Sequence, residues 1–274
     1  MPSALVITAP GINCDLELAE AFALVGCEVE RILLGRLTRQ PELVDRFELI
    51  GLPGGFSYGD DIAAGRIMAQ LIRAGIARRL VDALARGVPI IAPCNGFQIA
   101  VQAGLLPDPA PSPGASGPEE SPALPRPSVA LCDNDSGRFC DRWVRVEVPV
   151  KTHCIWTRGL RPVGAGSMLP IAHGEGRFTT DAATLRTLER DGRVALRYAS
   201  DDNPNGSIGA IAGICDPTGR CFGLMPHPER FTRWTQHPWW TRLGDDERSG
   251  TPLGLAMFES AVRSLAAAAP AGGR

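Results

Sequence analysis

The chain has 274 residues, 44% of them hydrophobic and 21% charged, enough to bury a large core around one sheet with insertions. Its formal net charge of -2 gives no electrostatic pull toward nucleic acid or an anionic membrane. No apolar run approaches the roughly 18 residues of a membrane span, and Met1-Pro2-Ser3 lacks the basic segment of a signal peptide, so the cytoplasm is the expected location.

Residues 4–8 read as a strand and 15–25 as a helix with Leu16, Leu18, Ala19, Phe22 and Leu24 at its apolar positions. Strands follow at 29–34 and 47–52, then helix over 62–86, as two helices meeting near Gly75, then a strand at 88–92. This alternation predicts an α/β fold: a mostly parallel central sheet with helices on both faces. Residues 107–127 hold eight of the 24 prolines and read as an exposed insertion, since so dense a run can join neither sheet nor helix. Strand-like segments resume at 143–150, 194–198, 208–214 and 221–225, the last two joined by a hairpin turned at Asp216-Pro217-Thr218-Gly219. A helix at 253–267 precedes a frayed tail at 268–274, and the whole of 1–274 reads as a single domain.

The eight cysteines are scattered through a chain large enough to be stable without staples and read as reduced thiols. No C-x-x-C pair occurs, and Cys132, Cys140, His153 and Cys154 lack the short paired spacings of a zinc site, so no metal is expected. Cys94 is different. It ends the apolar run Val88-Pro89-Ile90-Ile91-Ala92-Pro93, and a helical pattern starts one residue later, the sequence form of a strand-to-helix nucleophile elbow. A helix N-terminus favours thiolate over thiol. Ligands of open α/β sheets bind beyond the carboxyl ends of the strands, where both Cys94 and Gly54-Gly55 fall.

A thiolate nucleophile needs a base and a group to orient that base. Of the four histidines, His227 directly follows a strand in Met225-Pro226-His227-Pro228-Glu229, and two prolines predict extended chain, in which residues i and i+2 share a side. Glu229 is then set to accept from one imidazole nitrogen while the other faces Cys94, the logic of a catalytic triad. Gln98 lies one helical turn after Cys94, where its amide either holds the substrate's α-amino or carboxylate group or is a partly buried polar residue. His173 and Glu175 form a rival acid-base pair. Their flanking Gly174 and Gly176 predict a flexible loop, the preceding Leu169-Pro170-Ile171-Ala172 places it at a strand end near the pocket, and the pair is assigned to closing the site or docking a synthetase. Cys14 is a second nucleophile candidate, but no histidine is near it in sequence and Asp15 disfavours a thiolate there, so it reads as structural.

Six segments occur together in a fixed order: Pro10-Gly11-Ile12-Asn13-Cys14-Asp15, Pro53-Gly54-Gly55-Phe56-Ser57-Tyr58-Gly59-Asp60, Cys94-Asn95-Gly96-Phe97-Gln98, Ala172-His173-Gly174-Glu175-Gly176, Asn203-Pro204-Asn205-Gly206-Ser207 and Met225-Pro226-His227-Pro228-Glu229-Arg230. With them the chain resembles the glutaminase subunits of phosphoribosylformylglycinamidine synthase, over residues 4–106 and 130–230. The resemblance implies a class I (triad) glutamine amidotransferase with flavodoxin-like architecture. It also implies that Cys94, His227 and Glu229 cleave L-glutamine through a thioester, with Gly55 and Asn95 as the oxyanion hole beside Gly54. Asn134, Ser136, Arg138 and Phe139 fit a looser element of the glutamine pocket. The implied partners are a large synthetase subunit carrying ATP and Mg and a small accessory subunit, with no cofactor in this chain itself, and indeed no G-x-x-x-x-G-K-[S/T] loop occurs. Pro93 departs from the family pattern, and 231–251, with Trp234, Trp239 and Trp240, is an extra segment read as a lid, a partner surface or simple packing. Two other readings stay open: an amidotransferase of another pathway, and a silent binding protein on the same fold.

Overall fold

A computed structural model describes residues 1–109 and 128–268. Apart from 107–109 and the backbone of residue 268, the insertion at 107–127 and the tail at 268–274 lie outside the described residues. In the first half, β1 (Ser3–Thr8), α1 (Asp15–Leu24), β2 (Glu28–Leu33), α2 (Leu34–Arg39), β3 (Leu49–Gly51), α3 (Arg66–Gly75), α4 (Ala77–Ala85), β4 (Ile90–Pro93) and α5 (Asn95–Gln102) follow one another. The second half holds β5 (Val129–Cys132), β6 (Cys140–Glu147), β7 (Met168–His173), β8 (Arg177–Thr180), α6 (Ala182–Arg190), β9 (Val194–Tyr198), β10 (Ile211–Cys215), β11 (Cys221–Leu224) and α7 (Leu253–Ala268).

Nine strands form one sheet in the order β2-β1-β3-β4-β11-β10-β9-β6-β7, and β5 pairs with β8 apart from it. From β2 to β11 every pairing is parallel. Beyond β11 each neighbour is antiparallel, so β9 and β7 run with the parallel set and only β10 and β6 run against it. The sheet is therefore mostly parallel. Its carboxyl ends deliver the tips of β3, β4, β7 and β11 to one rim.

Helices cover both faces. Leu5 and Ile7 of β1 pack with Leu34, Met68, Ile72, Leu80 and Phe97 on one side, while Ala4 and Val6 pack with Leu18, Phe22, Met257 and Phe258 on the other. Burial on both faces is why the central strands read as unbroken apolar runs rather than alternating ones.

Several sequence expectations are corrected. In α1 the buried stripe is Leu18, Ala21 and Phe22, spaced three and four apart, whereas Leu16 and Leu24 face solvent. Leu34 begins α2 instead of ending β2, because it and Leu37 bury on the same helical face. Residues 62–65 are not helical. The α3 helix starts only after Gly65, which takes φ 73°. The β5/β8 ribbon and α6 were not read from the sequence, although Asp181 caps α6 by accepting from the amides of Ala183 and Thr184 at 2.8 and 2.9 Å. The β10–β11 hairpin does turn at Asp216, whose carboxylate accepts from the amides of Thr218, Arg220 and Cys221.

Candidate active site

Cys94 joins β4 to α5 with φ 51° and ψ -112°, a conformation that costs an L-residue strain and persists only when its surroundings fix it. Its amide donates to Leu224 O at 2.7 Å, and its carbonyl accepts from Phe97 N at 2.9 Å. Gly96 makes the elbow possible, since a Cβ there would lie 1.9 Å from Leu52 O. Asn95 opens α5, so its N–H has no carbonyl one turn back to receive it and stands beside the sulfur. The thiol points at Ala172 O, 3.6 Å away. It lines a cavity of about 290 Å³ together with Gly55, Phe56, Asp60, Gln98, Arg138, Phe139, His173 and Glu175 among others. That volume sits near the lower end of ligand pockets, suited to a small solute. A larger groove of about 460 Å³ between residues 160–166 and Trp234 is lined by neither cysteine nor histidine among the described residues.

His227 follows β11 and donates its own amide to Pro170 O at 2.9 Å. Its Nδ1 lies 2.6 Å from Glu229 Oε1, and both side chains are buried. The expected extended geometry is not what brings them together: Pro228–Arg230 forms a single 3-10 turn that folds the carboxylate back onto the ring. Burial is the largest influence on the imidazole and disfavours its charge. The Glu229 carboxylate, the Cys94 sulfur and hydrogen bonding to Cys14 and Cys94 outweigh it and hold the pKa well above the ordinary histidine value. Nε2 has no partner of good hydrogen-bond geometry among the described residues, although both sulfurs lie close enough to act on it. Gly54 sits at the centre of this group. A Cβ on it would come within 2.8 Å of His227 Cε1 and 3.3 Å of both Cys14 Sγ and Cys94 Cβ.

Cys14 is the residue that sequence distance concealed. Far from any histidine along the chain, it lies against His227 in space, with its Sγ, a ring nitrogen of His227 and a carboxylate oxygen of Glu229 all within 4.8 Å of one another. Among the described residues this is the one trio with metal-ligand donors in reach. Arg230, whose Nη2 donates to Cys14 Sγ at 3.1 Å, opposes a cation there. Burial pushes the Cys14 thiol up, against the lowering pull of His227 and Arg230. Cys14 is not on the cavity wall that Cys94 lines.

Gly55 takes φ 137°, and a Cβ would meet Asn13 N at 2.7 Å, so only glycine fits where the backbone turns toward the sulfur. Phe56 N to Gly11 O (2.9 Å) and Tyr58 N to Pro10 O (2.7 Å) pin this loop. Gln98 lines the cavity and is oriented by its neighbours: its Oε1 accepts from Asn95 Nδ2 at 2.9 Å and its Nε2 donates to Glu175 O at 2.5 Å. Asn134 is buried behind the cavity wall, and its Nδ2 donates to Arg138 O and His173 O at 2.8 and 2.9 Å. With both donors committed, its Oδ1 faces His173 Nδ1 at 3.1 Å, which makes that nitrogen the protonated one. Ser136 Oγ accepts from Arg138 N at 3.3 Å and lies off the wall. Arg138 and Phe139 line the wall, and the Phe139 ring stacks on Phe56 at 6.3 Å between centroids.

His173 sits at a strand end on the cavity wall, as expected, and not on a flexible loop. It ends β7, is 3% exposed, and its ring would collide with any Cβ at Gly176, so that glycine is a packing requirement and not a hinge. Burial, then the charge of His227, pushes its imidazole down to about 4, and it is neutral near pH 7. A buried ring offers no docking surface. Glu175 is partly exposed, and its Oε2 accepts from Ala64 N at 3.4 Å. None of the segment 231–251 lines the Cys94 cavity. Phe231, Trp234 and His237 pack with Trp143 and Trp239 instead.

The model of a CobB/CobQ-like glutamine amidotransferase domain matches residues 1–264. Phosphoribosylformylglycinamidine synthase subunit PurQ of Dehalococcoides mccartyi is 36% identical, covering 94% of this chain and 96% of that protein. The subunit of the same name from Synechococcus sp. (strain JA-2-3B'a(2-13)) is 39% identical over 96% and 97%. The solved structure of PurLQS from Thermotoga maritima contains a chain with a TM-score of 0.69 and 32% identity, covering 96% of this chain and 99% of that one. An elbow cysteine, a buried histidine-carboxylate pair and matches of this extent converge: the chain belongs to the glutamine amidotransferase family and, within it, to the PurQ subunits of phosphoribosylformylglycinamidine synthase.

Proposed function

We propose that this chain hydrolyses L-glutamine at Cys94 and passes the ammonia to a synthetase partner that converts formylglycinamide ribonucleotide to formylglycinamidine ribonucleotide, a step of purine biosynthesis. The observation that carries the reading is the strained Cys94 elbow at the rim shared with the buried His227–Glu229 pair. The Cys94 sulfur attacks the side-chain amide carbon, and negative charge develops on the carbonyl oxygen. Backbone N–H groups of Gly55 and Asn95 receive that charge, each such donor being worth about 2.7–4 kcal/mol in comparable sites. His227, held cationic by Glu229, gives its proton to the departing nitrogen, and ammonia leaves a glutamyl thioester. Water, deprotonated by the now neutral His227, attacks the thioester, releasing glutamate and restoring the sulfur.

ATP and Mg belong to the large partner subunit in this reading, with a small accessory subunit completing a cytoplasmic complex. Support comes from the PurLQS neighbour and from a sequence without a P-loop. Two thiols flank the same imidazole, so the decisive test is which one reacts. Mass spectrometry of the reconstituted complex after treatment with a glutamine-mimicking diazoketone is expected to find the adduct on Cys94. An adduct on Cys14, or glutaminase activity surviving Cys94→Ala, would overturn the assignment.

A further inference from the structure

In the proposed reaction the oxyanion is received by two amides on separate pieces of chain, Gly55 in the loop after β3 and Asn95 at the start of α5, so something must join the pieces and set the spacing. Bonds with residues 10–14 hold only the loop: Phe56 N donates to Gly11 O at 2.9 Å, Tyr58 N to Pro10 O at 2.7 Å and Cys14 N to Gly54 O at 3.3 Å. Both pieces are strained. Tyr58 and Asp60 take φ 55° and 52°, and Cys94 takes φ 51°, conformations that relax unless their surroundings fix them. The Asn95 side chain spans the gap. It is buried, its Oδ1 accepts from Ser57 N at 3.3 Å, and its Nδ2 donates to Asp60 Oδ1 at 3.3 Å and to Gln98 Oε1 at 2.9 Å. These partners fix one orientation of the amide, because Ser57 N–H can only donate, the Asp60 carboxylate accepts, and Gln98 has given its own Nε2 to Glu175 O. Asp60 in turn accepts from Gly65 N at 3.1 Å, which ties the same loop to the start of α3.

We propose that the side chain of Asn95 is a positioning group: it locks the strained 55–60 loop to the elbow helix and so fixes the distance between the Gly55 and Asn95 amides that receive the oxyanion. The grip and one of the two donors leave the same Cα, so little slack separates them. Asn95 is not on the cavity wall, and its side chain acts through Ser57 and Asp60 and not on substrate. A substitution at this position therefore keeps the backbone N–H and removes only what places it. This inference rests on the reading of Cys94 as the glutamine-cleaving thiol.

The test compares two reactions of the same thiol in the reconstituted complex. Glutamine hydrolysis passes through a tetrahedral oxyanion, whereas alkylation of Cys94 by iodoacetamide, followed by mass spectrometry, is a displacement at a saturated carbon and forms none. Asn95→Leu removes the three side-chain bonds at nearly constant volume. It is expected to lower kcat about 100-fold, as a misplacement of about 1 Å does, with KM for glutamine and the rate of Cys94 alkylation each within a few-fold. An unchanged kcat overturns the proposal, and so does an equal fall in alkylation, which would mean that the elbow itself had collapsed. A reciprocal exchange supplies the rescue and decides alone if Asn95→Leu does not fold. Asn95→Asp keeps the acceptor for Ser57 N–H but sets two carboxylates face to face, and kcat should fall. Adding Asp60→Asn reverses donor and acceptor of the same hydrogen bond and should recover about 10-fold, whereas a double variant no better than Asn95→Asp overturns the proposal. Cys94→Ala run alongside separates the two readings: if it still releases ammonia, the nucleophile is wrong, and if it does not, the result bears on Asn95 alone.

Discussion

Replacing Gly96 by alanine adds one methyl group at the closest approach between α5 and the sheet. The new Cβ would stand 1.9 Å from Leu52 O and 2.9 Å from Leu52 C, where ordinary contact begins near 3.4 Å. Leu52 cannot yield easily, because its N–H is hydrogen-bonded to Ile91 O at 2.9 Å within the sheet. The helix start must therefore move outward by about 1.5 Å, an overpacking that typically costs about 1–3 kcal/mol. Alanine's helix propensity returns at most about 1 kcal/mol, and strain wins. At about 2–4 °C per kcal/mol for a large domain, the melting temperature should fall by several degrees while the protein stays folded. Activity should suffer more, since Asn95 N–H and Cys94 move with the helix, and a misplacement of about 1 Å can cost about 100-fold in rate. Differential scanning fluorimetry and steady-state glutaminase kinetics on the complex measure both effects. Unchanged melting and unchanged kcat/KM would refute the claim that this contact fixes the elbow.

Glu229→Gln removes the charge that raises the His227 pKa, so the imidazolium should be lost at lower pH. A group with a raised folded pKa contributes stability below its ordinary value and loses it as pH rises through the raised one. The basic limb of the pH-rate profile should accordingly move to lower pH, with kcat down about 100- to 10,000-fold, and an unmoved limb would exclude Glu229 as the orienting carboxylate. Cys14→Ala should retain diazoketone labelling of Cys94 and shift the same limb modestly to lower pH, because one hydrogen bond that raises the His227 pKa is gone. For His173 the sign is opposite. Its folded pKa of about 4, against 6.5 unfolded, makes stability fall as pH drops through that window, by about 3 kcal/mol in full. Urea midpoints at pH 7 and pH 4.5 should therefore converge more closely in His173→Gln than in the natural chain, and parallel curves would count against a buried neutral ring.

How much of this was legible in sequence depends on how local the cause is. The elbow was readable because its determinants are contiguous: an apolar strand, a cysteine and a glycine two residues later that the Leu52 carbonyl demands. The mostly parallel sheet was readable because strands buried on both faces leave unbroken apolar runs. The α6 helix was missed although Asp181 marks its start and Leu185 and Leu188 share a face, since the helix is short and only Leu188 is fully buried. The His227–Glu229 pair was anticipated for the wrong reason, because prolines that favour extended chain also permit the tight turn found there.

The amino-acid order alone determined the central parallel strands to within a residue or two and which thiol opens a helix, since backbone sterics and apolar patterning act over a few residues. Only the folded sheet decided which distant groups share the rim of β3, β4, β7 and β11. It brought Cys14 against His227, buried His173 as a neutral ring at the end of β7, and tied Gln98 to the backbone of Glu175. Those outcomes follow from strand order, in which β11 lies beside β4 although more than a hundred residues separate them, and no local pattern encodes that neighbourhood.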